Sequence, residues 1–461
     1  MSTVDPSRST AARAAIRRWV RDASRILAHP RAPLVVLLLV VLYSAGARVF
    51  RLGEPCSKPC RHTADHTLIF DEAYYVNAAR VIAHINPPAG SSYHNAPLGK
   101  DPNPEHPQLA KMIMAGGIEL FGDDPWGWRI GSVIFGLIAI AAMYALVRAA
   151  GGGPWLAVGA AAVMAADNLL LVHGRIATLD IYVLAMMLVA AVLYMRRHPL
   201  WAGIAAGVAI CMKEVGVYLL PVLVLLELGR IARGWGSGGR GRPRRWLRDN
   251  VRPLAICTGI GALTLLLVLW LLDALVPAYD TGTHITYGGS PFTHLSHIYT
   301  YALKLTAVPH ATGISSSPWD WLLNQKPIDY ARVAVNSISS GKVTASRALV
   351  DFRGEMNPFI IFMALPALAA ALAAAWRERD EVALLGACWC VGTFFPFVAE
   401  YNFSHRITYL YYMVVVMPGL YLVTTRLFSP RVLPMAAAVG WAIALVYGFG
   451  HLYPLRTLSG H

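Results

Sequence analysis

Long apolar stretches alternate with short polar ones along most of this chain. A run of about 18 or more apolar residues indicates a membrane-spanning helix, because about 20 helical residues cross a bilayer core of about 30 Å. The pattern predicts eleven spans with soft edges, at 33–50, 127–147, 154–172, 179–195, 200–212, 214–229, 253–276, 357–376, 382–399, 408–427 and 432–452. The fifth and sixth are short, which predicts two half-length helices or one broken helix.

The composition supports a polytopic membrane protein. Of the 461 residues, 56% are hydrophobic and 14% are charged. A soluble domain carries about 25% charged residues, and a disordered chain is poor in apolar residues, so both classes are excluded. Small residues at 44–47 resemble a signal-peptide cleavage site. The preceding polar region is too long for that, so the first span is predicted to be a retained anchor.

The net charge of +14 comes mainly from arginines beside the predicted spans. They concentrate in the N-terminal tail, 1–32, and in the loop 230–252. Arginine and lysine beside spans mark the cytoplasmic side of a membrane, where anionic lipid headgroups contribute, so the pattern favours membrane lipids over nucleic acid as partners. Eleven spans then place the C-terminal tail, 453–461, outside, with external loops at 51–126 and 277–356.

Five ionisable residues lie within or beside the predicted spans, where such side chains usually mark a functional site. They are Asp167, Arg175, Asp180, Lys213 and Glu214. The predicted topology puts all five near the external surface. Interfacial ion pairs are the alternative for any one of them, but their common depth favours a site.

The first external loop adds further candidates. Asp71 and Glu72 open an amphipathic stretch directly after the first span. Adjacent side chains on a helix point about 100° apart, so one carboxylate can face a ligand while the other caps the helix. A solvated helix N-cap is the alternative. Glu105 and His106 precede a second predicted helix, and Arg129 at the head of the second span is an interface anchor or an anion ligand.

These residues, taken in order, resemble the protein O-mannosyltransferase family. The match covers about 45–425 and is specific only in combination. The motifs are Asp71-Glu72, His106-Pro107 with Lys111, Trp128-Arg129, Asp167-Asn168, Gly174-Arg175, Asp180, Lys213, Ser317-Pro318-Trp319, Met356-Asn357-Pro358 and Arg406 with Tyr409. The chain departs from the family at Gln108, which replaces a proline, and at Glu214, which replaces a tryptophan. The second external loop is too short for the trefoil domain of the eukaryotic members, so the chain resembles a bacterial, actinobacterial form.

The resemblance implies an all-α polytopic fold of the GT-C type, with about eleven transmembrane helices in a catalytic domain, 33–452, and amphipathic helices in two external loops. It implies transfer of mannose, with inversion, from polyprenyl-phosphate-mannose to Ser or Thr hydroxyls of exported proteins. The site would lie on the external face of the plasma membrane, with the secretion translocon as a further candidate partner. A lipid or cell-wall glycan acceptor is the alternative. A non-enzymatic transporter of the polyprenyl sugar is disfavoured because the polar residues cluster at one face.

The chemistry of that reaction assigns roles to the candidates. A polyprenyl phosphate leaves without much acid help, but its charge requires cations, for which we predict Arg129, Lys213 and Arg175 in that order. Asp71 is the predicted base for the acceptor hydroxyl, and Glu72 would hold the acceptor or orient Asp71. The remaining predicted pocket residues are Glu105, His106, Asp167, Asn168 and Asp180. No cofactor is predicted to be required, and a divalent metal at Glu105 and His106 is the less favoured alternative.

Six cysteines are present, and four of them lie in predicted spans, where they are interpreted as packing residues. Cys56 and Cys60 lie in the first external loop. A disulfide, a pair of free thiols and a zinc site with His62 and His66 all remain open for them, with the disulfide favoured.

Overall fold

The protein is a mostly helical bundle in the computed structural model, which describes residues 28–56, 65–235, 243–306, 313–339, 342–430 and 432–455. Most of both predicted tails, Cys60 and His62 lie outside the described residues. In chain order the helices are α1 (Ala32–Val49), α2 (Glu72–Ile82), α3 (Leu109–Phe121), α4 (Pro125–Ala149), α5 (Pro154–Ala165), α6 (Asn168–His173), α7 (Asp180–Met195), α8 (Pro199–Met212), α9 (Leu219–Trp235), α10 (Pro243–Leu275), α11 (Pro291–Lys304), α12 (Pro318–Trp321), α13 (Pro358–Ile361), α14 (Ala364–Arg377), α15 (Glu381–Phe403), α16 (Met417–Leu427) and α17 (Met435–Leu452).

The apolar pattern locates the membrane helices well. Within the described ranges, the helices long and apolar enough to cross a membrane are Ala32–Val49, Pro125–Ala149, Glu214–Gly234, Arg248–Leu275, Glu381–Phe403 and Met435–Leu452. Shorter apolar helices cover Pro154–Ala165, Asp180–Met195, Pro199–Met212 and Ala364–Arg377. The multi-pass helical fold is therefore confirmed, whereas the count of eleven spans stays a prediction.

Helix breaks explain where the predicted spans and the structure differ. The sixth span is not short, because a 3-10 turn at Glu214–Tyr218 continues into α9 and together they give a 21-residue segment. The third predicted span ends early at Ala165, and Asp167 caps the separate helix α6 through the amide of Leu170. Polar residues at these breaks supply the hydrogen bonds that the interrupted helices lack.

Helix α7 lies at the centre of the bundle. It is buried on almost every face and packs between α4 and α8. It begins at Asp180, so its first turn holds one of the predicted site residues at the end of a rigid element. Burial on all sides explains why its sequence is almost uniformly apolar.

Helices α8 and α10 run parallel and in close contact. A Cβ atom on Gly203 would lie 2.6 Å from the Cys257 carbonyl oxygen, and one on Gly207 would lie 2.6 Å from that of Gly261. Glycine therefore permits the backbone approach, as in other membrane helix pairs. The same register brings the beginning of α10 beside the turn that precedes α8.

A long β-hairpin departs from the predicted all-α fold. Strands β3 (Ile328–Ser339) and β4 (Lys342–Gly354) are antiparallel, whereas β1 (Ala278–Tyr279) and β2 (Thr286–Tyr287) form only a small pair. At the base of the long hairpin, Tyr330 and Phe352 are buried in the core. The amphipathic helices expected in the two loops are present as α2, α3 and α11.

The cysteines follow the predicted division. Cys211, Cys257, Cys388 and Cys390 are free and buried in the helical core. Cys56 is disulfide-bonded, which agrees with the favoured interpretation. A disulfide-bonded sulfur is not a thiolate, so Cys56 does not serve the alternative zinc site.

Candidate active site

One cavity of about 780 Å3 gathers many of the conspicuous polar residues of the chain. It lies between the start of α2, the segment that precedes α3, the break between α8 and α9, helix α11 and the turn at 410–415. Its charged lining residues are Asp71, Glu105, His106, Asp180, Lys213, Glu214, Glu400 and Arg406. Its tyrosines are Tyr74, Tyr75, Tyr93, Tyr218, Tyr299, Tyr301, Tyr409, Tyr411 and Tyr412.

Asp71 faces this cavity, as predicted. Phe70, before it, has a φ of 52° and stacks on Tyr330 with ring centroids 4.3 Å apart. An aromatic residue rarely adopts that backbone conformation, so the stack helps to hold the turn that aims Asp71. Within the described residues, the Asp71 carboxylate accepts no hydrogen bond. Burial raises its pKa to about 6, while the nearby Lys213 acts in the opposite direction.

Glu72 points away from the cavity, contrary to the role predicted for it. It is buried and forms two hydrogen bonds with Arg129, at 2.8 Å and 2.7 Å. Its oxygens also accept the amides of Ile69 and Ala177, both at 2.7 Å. Arg129 donates further to the Leu52 carbonyl at 2.5 Å. Arg129 was the first-choice ligand predicted for the donor phosphate. It instead forms a buried ion pair that joins α2, α4 and the chain after α1.

Arg175, the third predicted cation, also lies outside the cavity. Its guanidinium donates to the carbonyls of Phe50 at 3.0 Å and Arg51 at 3.2 Å, at the end of α1. It lies over the Phe352 ring, 5.3 Å from the centroid. Arg175 therefore fastens the first membrane helix and the hairpin to the core, and the structure does not bring it to Asp71.

Asp167 and Asn168 are likewise structural. Asp167 accepts the Asn357 amide and the Tyr421 hydroxyl, both at 2.8 Å. Asn168 donates to the Phe449 carbonyl at 3.0 Å. The structure gives both residues hydrogen-bond partners outside the cavity around Asp71, and neither residue lines that cavity.

Lys213 and Asp180 form the ion pair nearest to the predicted chemistry. The Lys213 ammonium lies 2.7 Å from the Asp180 carboxylate and 5.4 Å from the centroid of the Tyr411 ring. Lys213 has extended backbone between α8 and the following 3-10 turn, so its side chain projects from a break in the membrane helices. Both residues line the same cavity as Asp71.

His106 and Glu105 also line the cavity and take separate partners. His106 Nδ1 lies 2.7 Å from Glu214, while Glu105 accepts a 2.7 Å hydrogen bond from Asn103. Burial raises the pKa of Glu105. Because the carboxylate of Glu214 requires a proton on Nδ1 of His106, Nε2 is the ring nitrogen left to face a ligand. No group of three metal-ligating side chains occurs in the described part of the chain.

Buried contacts fix the segment that carries Glu105 and His106. Lys111 donates to the His106 carbonyl at 2.9 Å and pairs with Asp101 at 2.5 Å. Gln108, at the first departure from the family motif, donates to Asp273 at 2.6 Å. Gln108 therefore links this segment to the end of α10. The second departure, Glu214, orients His106.

Arg406 is the main functional candidate to which the sequence analysis gave no role. It follows α15, lines the cavity and donates to Glu400 at 3.2 Å. Glu400 also accepts the Tyr218 hydroxyl. The buried Nε of Arg406 has no hydrogen-bond partner among the described residues. The motif Arg406 to Tyr409 carried the signal, but only the fold shows that it returns to the cavity.

The wall of the cavity between α8 and α10 is apolar. Its lining residues there are Ile210, Val215, Val217 and Leu265. Val217 is 44% exposed, and Leu263 and Leu267 beside Leu265 are about half exposed. This side of the polar cavity therefore continues into the lipid-facing surface of the helices.

The chain is similar in sequence and in fold to known proteins. The sequence profile described as dolichyl-phosphate-mannose-protein mannosyltransferase matches residues 105–235, which contain His106 and Lys213. A polyprenol-phosphate-mannose–protein mannosyltransferase of Corynebacterium glutamicum is 26% identical over 77% of this chain and 76% of its own length. The enzyme of the same name from Mycolicibacterium smegmatis is 24% identical over 91% of this chain and 88% of its own. The chain is similar in sequence to proteins of the protein O-mannosyltransferase family.

The fold agrees with this similarity. The Saccharomyces cerevisiae protein O-mannosyltransferase Pmt1-Pmt2 complex, solved with its sugar donor, superposes with a TM-score of 0.65 and 12% identity. The superposition covers 92% of this chain and 90% of the yeast chain. The GT-C fold predicted from the motifs is confirmed.

Proposed function

We propose that this protein transfers mannose from polyprenyl-phosphate-mannose to hydroxyl groups of exported proteins. The observation that carries the proposal is the cavity itself. It holds a carboxylate without a hydrogen-bond partner among the described residues, Asp71, and two cationic side chains, Lys213 and Arg406. It also has an apolar wall toward the lipid, as a prenyl-linked donor requires.

The donor phosphate is assigned to Lys213 and Arg406. Phosphate oxygens bind most strongly to charged donors, and the planar guanidinium of Arg406 has a buried Nε without a partner in the described structure. The prenyl chain would then leave the cavity past Val217 and Leu265. Arg129 and Arg175 are no longer candidates, because their donors already bind buried carbonyls and Glu72.

Asp71 is the proposed base. As the acceptor oxygen bonds to the anomeric carbon, its proton passes to the Asp71 carboxylate and the bond from carbon to the phosphate oxygen breaks. The phosphate leaves from the face opposite to the attack, so the configuration inverts. Glu105, Asp180 and His106 remain as hydrogen-bond partners for sugar hydroxyls around the reacting carbon.

The acceptor and the side of the membrane belong to the proposal as well. The charged residues gather at one end of the membrane helices, which we assign to the external face of the plasma membrane. A transporter would instead need polar groups along a path to both faces. An exported polypeptide, delivered from the secretion translocon, is therefore the proposed acceptor, and no cofactor is proposed.

The decisive experiment supplies labelled polyprenyl-phosphate-mannose to proteoliposomes that contain the purified protein and a Ser/Thr-rich exported polypeptide. We expect label in the polypeptide, released by protease, and none after Asp71→Asn. Asp329→Asn, in the hairpin and 59% exposed, is the matched control and should leave transfer unchanged. Label that appears only in a lipid or glycan fraction would instead establish the alternative acceptor.

Sidedness can be tested separately with an impermeant thiol reagent on sealed cells. A cysteine placed at Trp319 should react, and one placed at Arg379 should not, because the arginine-rich turns are predicted to be cytoplasmic. Reaction at Arg379 would place the cavity on the cytoplasmic side and contradict the proposed external site.

A further inference from the structure

Two sets of arginines at the predicted cytoplasmic ends of the helices differ in their surroundings. In the first set, the arginines are neutralised inside the protein: Arg230 and Arg233 pair with Glu381, and Arg426 pairs with Asp380 and Glu378. These side chains serve the packing of α9, α14, α15 and α16, so they have little charge to offer a ligand.

The second set is left exposed. Arg196, Arg197, Arg248 and Arg252 are all exposed at the end of α7 and the beginning of α10. The one acidic residue in 196–201 and 248–252 is Asp249, which is itself exposed and lies 3.7 Å from Arg248. Four arginines against one aspartate leave this surface strongly positive.

The fold holds these four arginines together. Arg197 Nη1 donates to the Asp249 carbonyl at 3.0 Å, which joins the turn after α7 to α10. The close parallel contact of α8 with α10, at Gly203 and Cys257, sets the same register from the other side. The arginines therefore belong to one surface patch, although about 50 residues separate the two pairs in sequence.

An apolar surface lies directly beside the patch. Trp201 is 60% exposed, Leu200 is 47% exposed and Val251 is 40% exposed. Exposed tryptophan next to arginine is typical of the boundary between lipid headgroups and acyl chains. A ligand that fits both surfaces must combine a negative charge with an apolar body.

We propose that Arg196, Arg197, Arg248 and Arg252, with Trp201, form a binding site for an anionic phospholipid. The guanidinium groups would bind the phosphodiester of the headgroup, and Trp201 with Leu200 would pack along the upper acyl chain. A soluble phosphate would use only the arginines and leave the apolar surface without a role. The site lies at the opposite end of α8 from Lys213, so it does not depend on the proposed mannosyl transfer.

Native mass spectrometry of the protein in neutral detergent tests the site, with dioleoyl phosphatidylglycerol and dioleoyl phosphatidylcholine as the two probes. We expect the wild type to retain phosphatidylglycerol with at least tenfold higher affinity. The triple variant R196Q/R248Q/R252Q should lose that preference and keep its unfolding midpoint, because all three side chains are exposed.

The matched control removes three other exposed arginines, R148Q/R377Q/R379Q, and should retain the preference. Equal loss in both triple variants would show a diffuse surface charge and overturn the site. Displacement of the lipid by millimolar inorganic phosphate would overturn the assignment to a lipid. Trp201→Ala should weaken phosphatidylglycerol retention several-fold, and an unchanged affinity would remove tryptophan from the proposed site.

Discussion

Two carboxylates that are neighbours in the chain belong to different regions of this protein. Asp71 faces an open cavity, whereas Glu72 is buried and accepts hydrogen bonds from Arg129 and two backbone amides. The start of α2 separates them, because successive residues of a helix point about 100° apart. One region keeps a charge available for a substrate, and the other uses its charges to join helices. Their responses to substitution should therefore differ in kind.

The largest expected effect is the loss of transfer in Asp71→Asn, by about 10²–10⁴-fold, because an amide cannot accept the acceptor proton. The same change should raise the unfolding midpoint at pH 7.5. A raised pKa, about 6 against 3.8, means that burial favours protonated Asp71, so stability is lost as pH rises through 6. Transfer assays and thermal unfolding measure both effects. A variant that is inactive and also destabilised would assign Asp71 to the structure instead of the chemistry.

Glu72→Gln should give the opposite result, a destabilised protein. Removing one partner of a buried ion pair costs about 3–5 kcal/mol, because Arg129 is left charged without a counterion. Thermal unfolding in detergent measures the loss, and the double variant Glu72→Gln/Arg129→Met should recover part of it. If Glu72→Gln retained full stability and lost only transfer, the separation between the two regions would fail.

Within the cavity, Lys213→Met and Arg406→Gln should each raise the KM for the polyprenyl donor by about 10–100-fold. Each removes one charge-assisted hydrogen bond, which contributes about 1.5–3 kcal/mol. The KM for the acceptor polypeptide should change little. Lys100→Met, at an exposed lysine that donates to Thr286, is the control. Equal effects on both substrates would mean that these side chains shape the cavity without binding phosphate.

The smallest expected effect is the pH dependence of the wild type. Asp71 must be ionised to act as a base, so kcat/KM should fall about tenfold per pH unit below the pKa of about 6. Asp180, Glu105 and His106 share the cavity, so the profile must be compared with that of Glu214→Gln, which removes the carboxylate that contacts His106. A profile that is flat down to pH 5 would exclude Asp71 as the titrating base.

The sequence predicted the elements that the bilayer dictates and the residues whose position follows from them. Apolar length located the membrane helices, and Asp180 and Lys213 reach the cavity because each lies at an end of an apolar helix. Asp71 instead precedes the amphipathic helix α2 of the first loop. All the ionisable residues predicted near the external surface were assigned to one site, because their positions along the helices gave them a common depth. Depth alone does not show which way a side chain faces. The sequence therefore did not reveal that the side chains outside the cavity lining are those of Glu72, Arg129, Arg175, Asp167 and Asn168.

The remaining site residues depend on contacts distant in sequence. Tyr330 reaches Phe70 and donates or accepts a 2.9 Å hydrogen bond with His173 only because the hairpin folds back onto the core. Arg406 meets Glu214 and Lys213 in one cavity across nearly 200 residues of chain. The stretches 328–339 and 342–354 contain four Val and two Ile, which is a modest strand signal. The sequence analysis did not predict these strands, because it described 277–356 only as a loop without membrane helices.

The hairpin also determines where this architecture accepts new sequence. Its two strands enter and leave side by side, with Ile328 opposite Gly354, and Tyr330 and Phe352 near this base are buried in the core. A domain inserted at the far end of the hairpin would therefore be connected to the core through the two paired strands. The two ends of the inserted domain would need to lie no farther apart than two neighbouring strands. An insertion at this point would therefore leave the residues around Asp71 in their present arrangement.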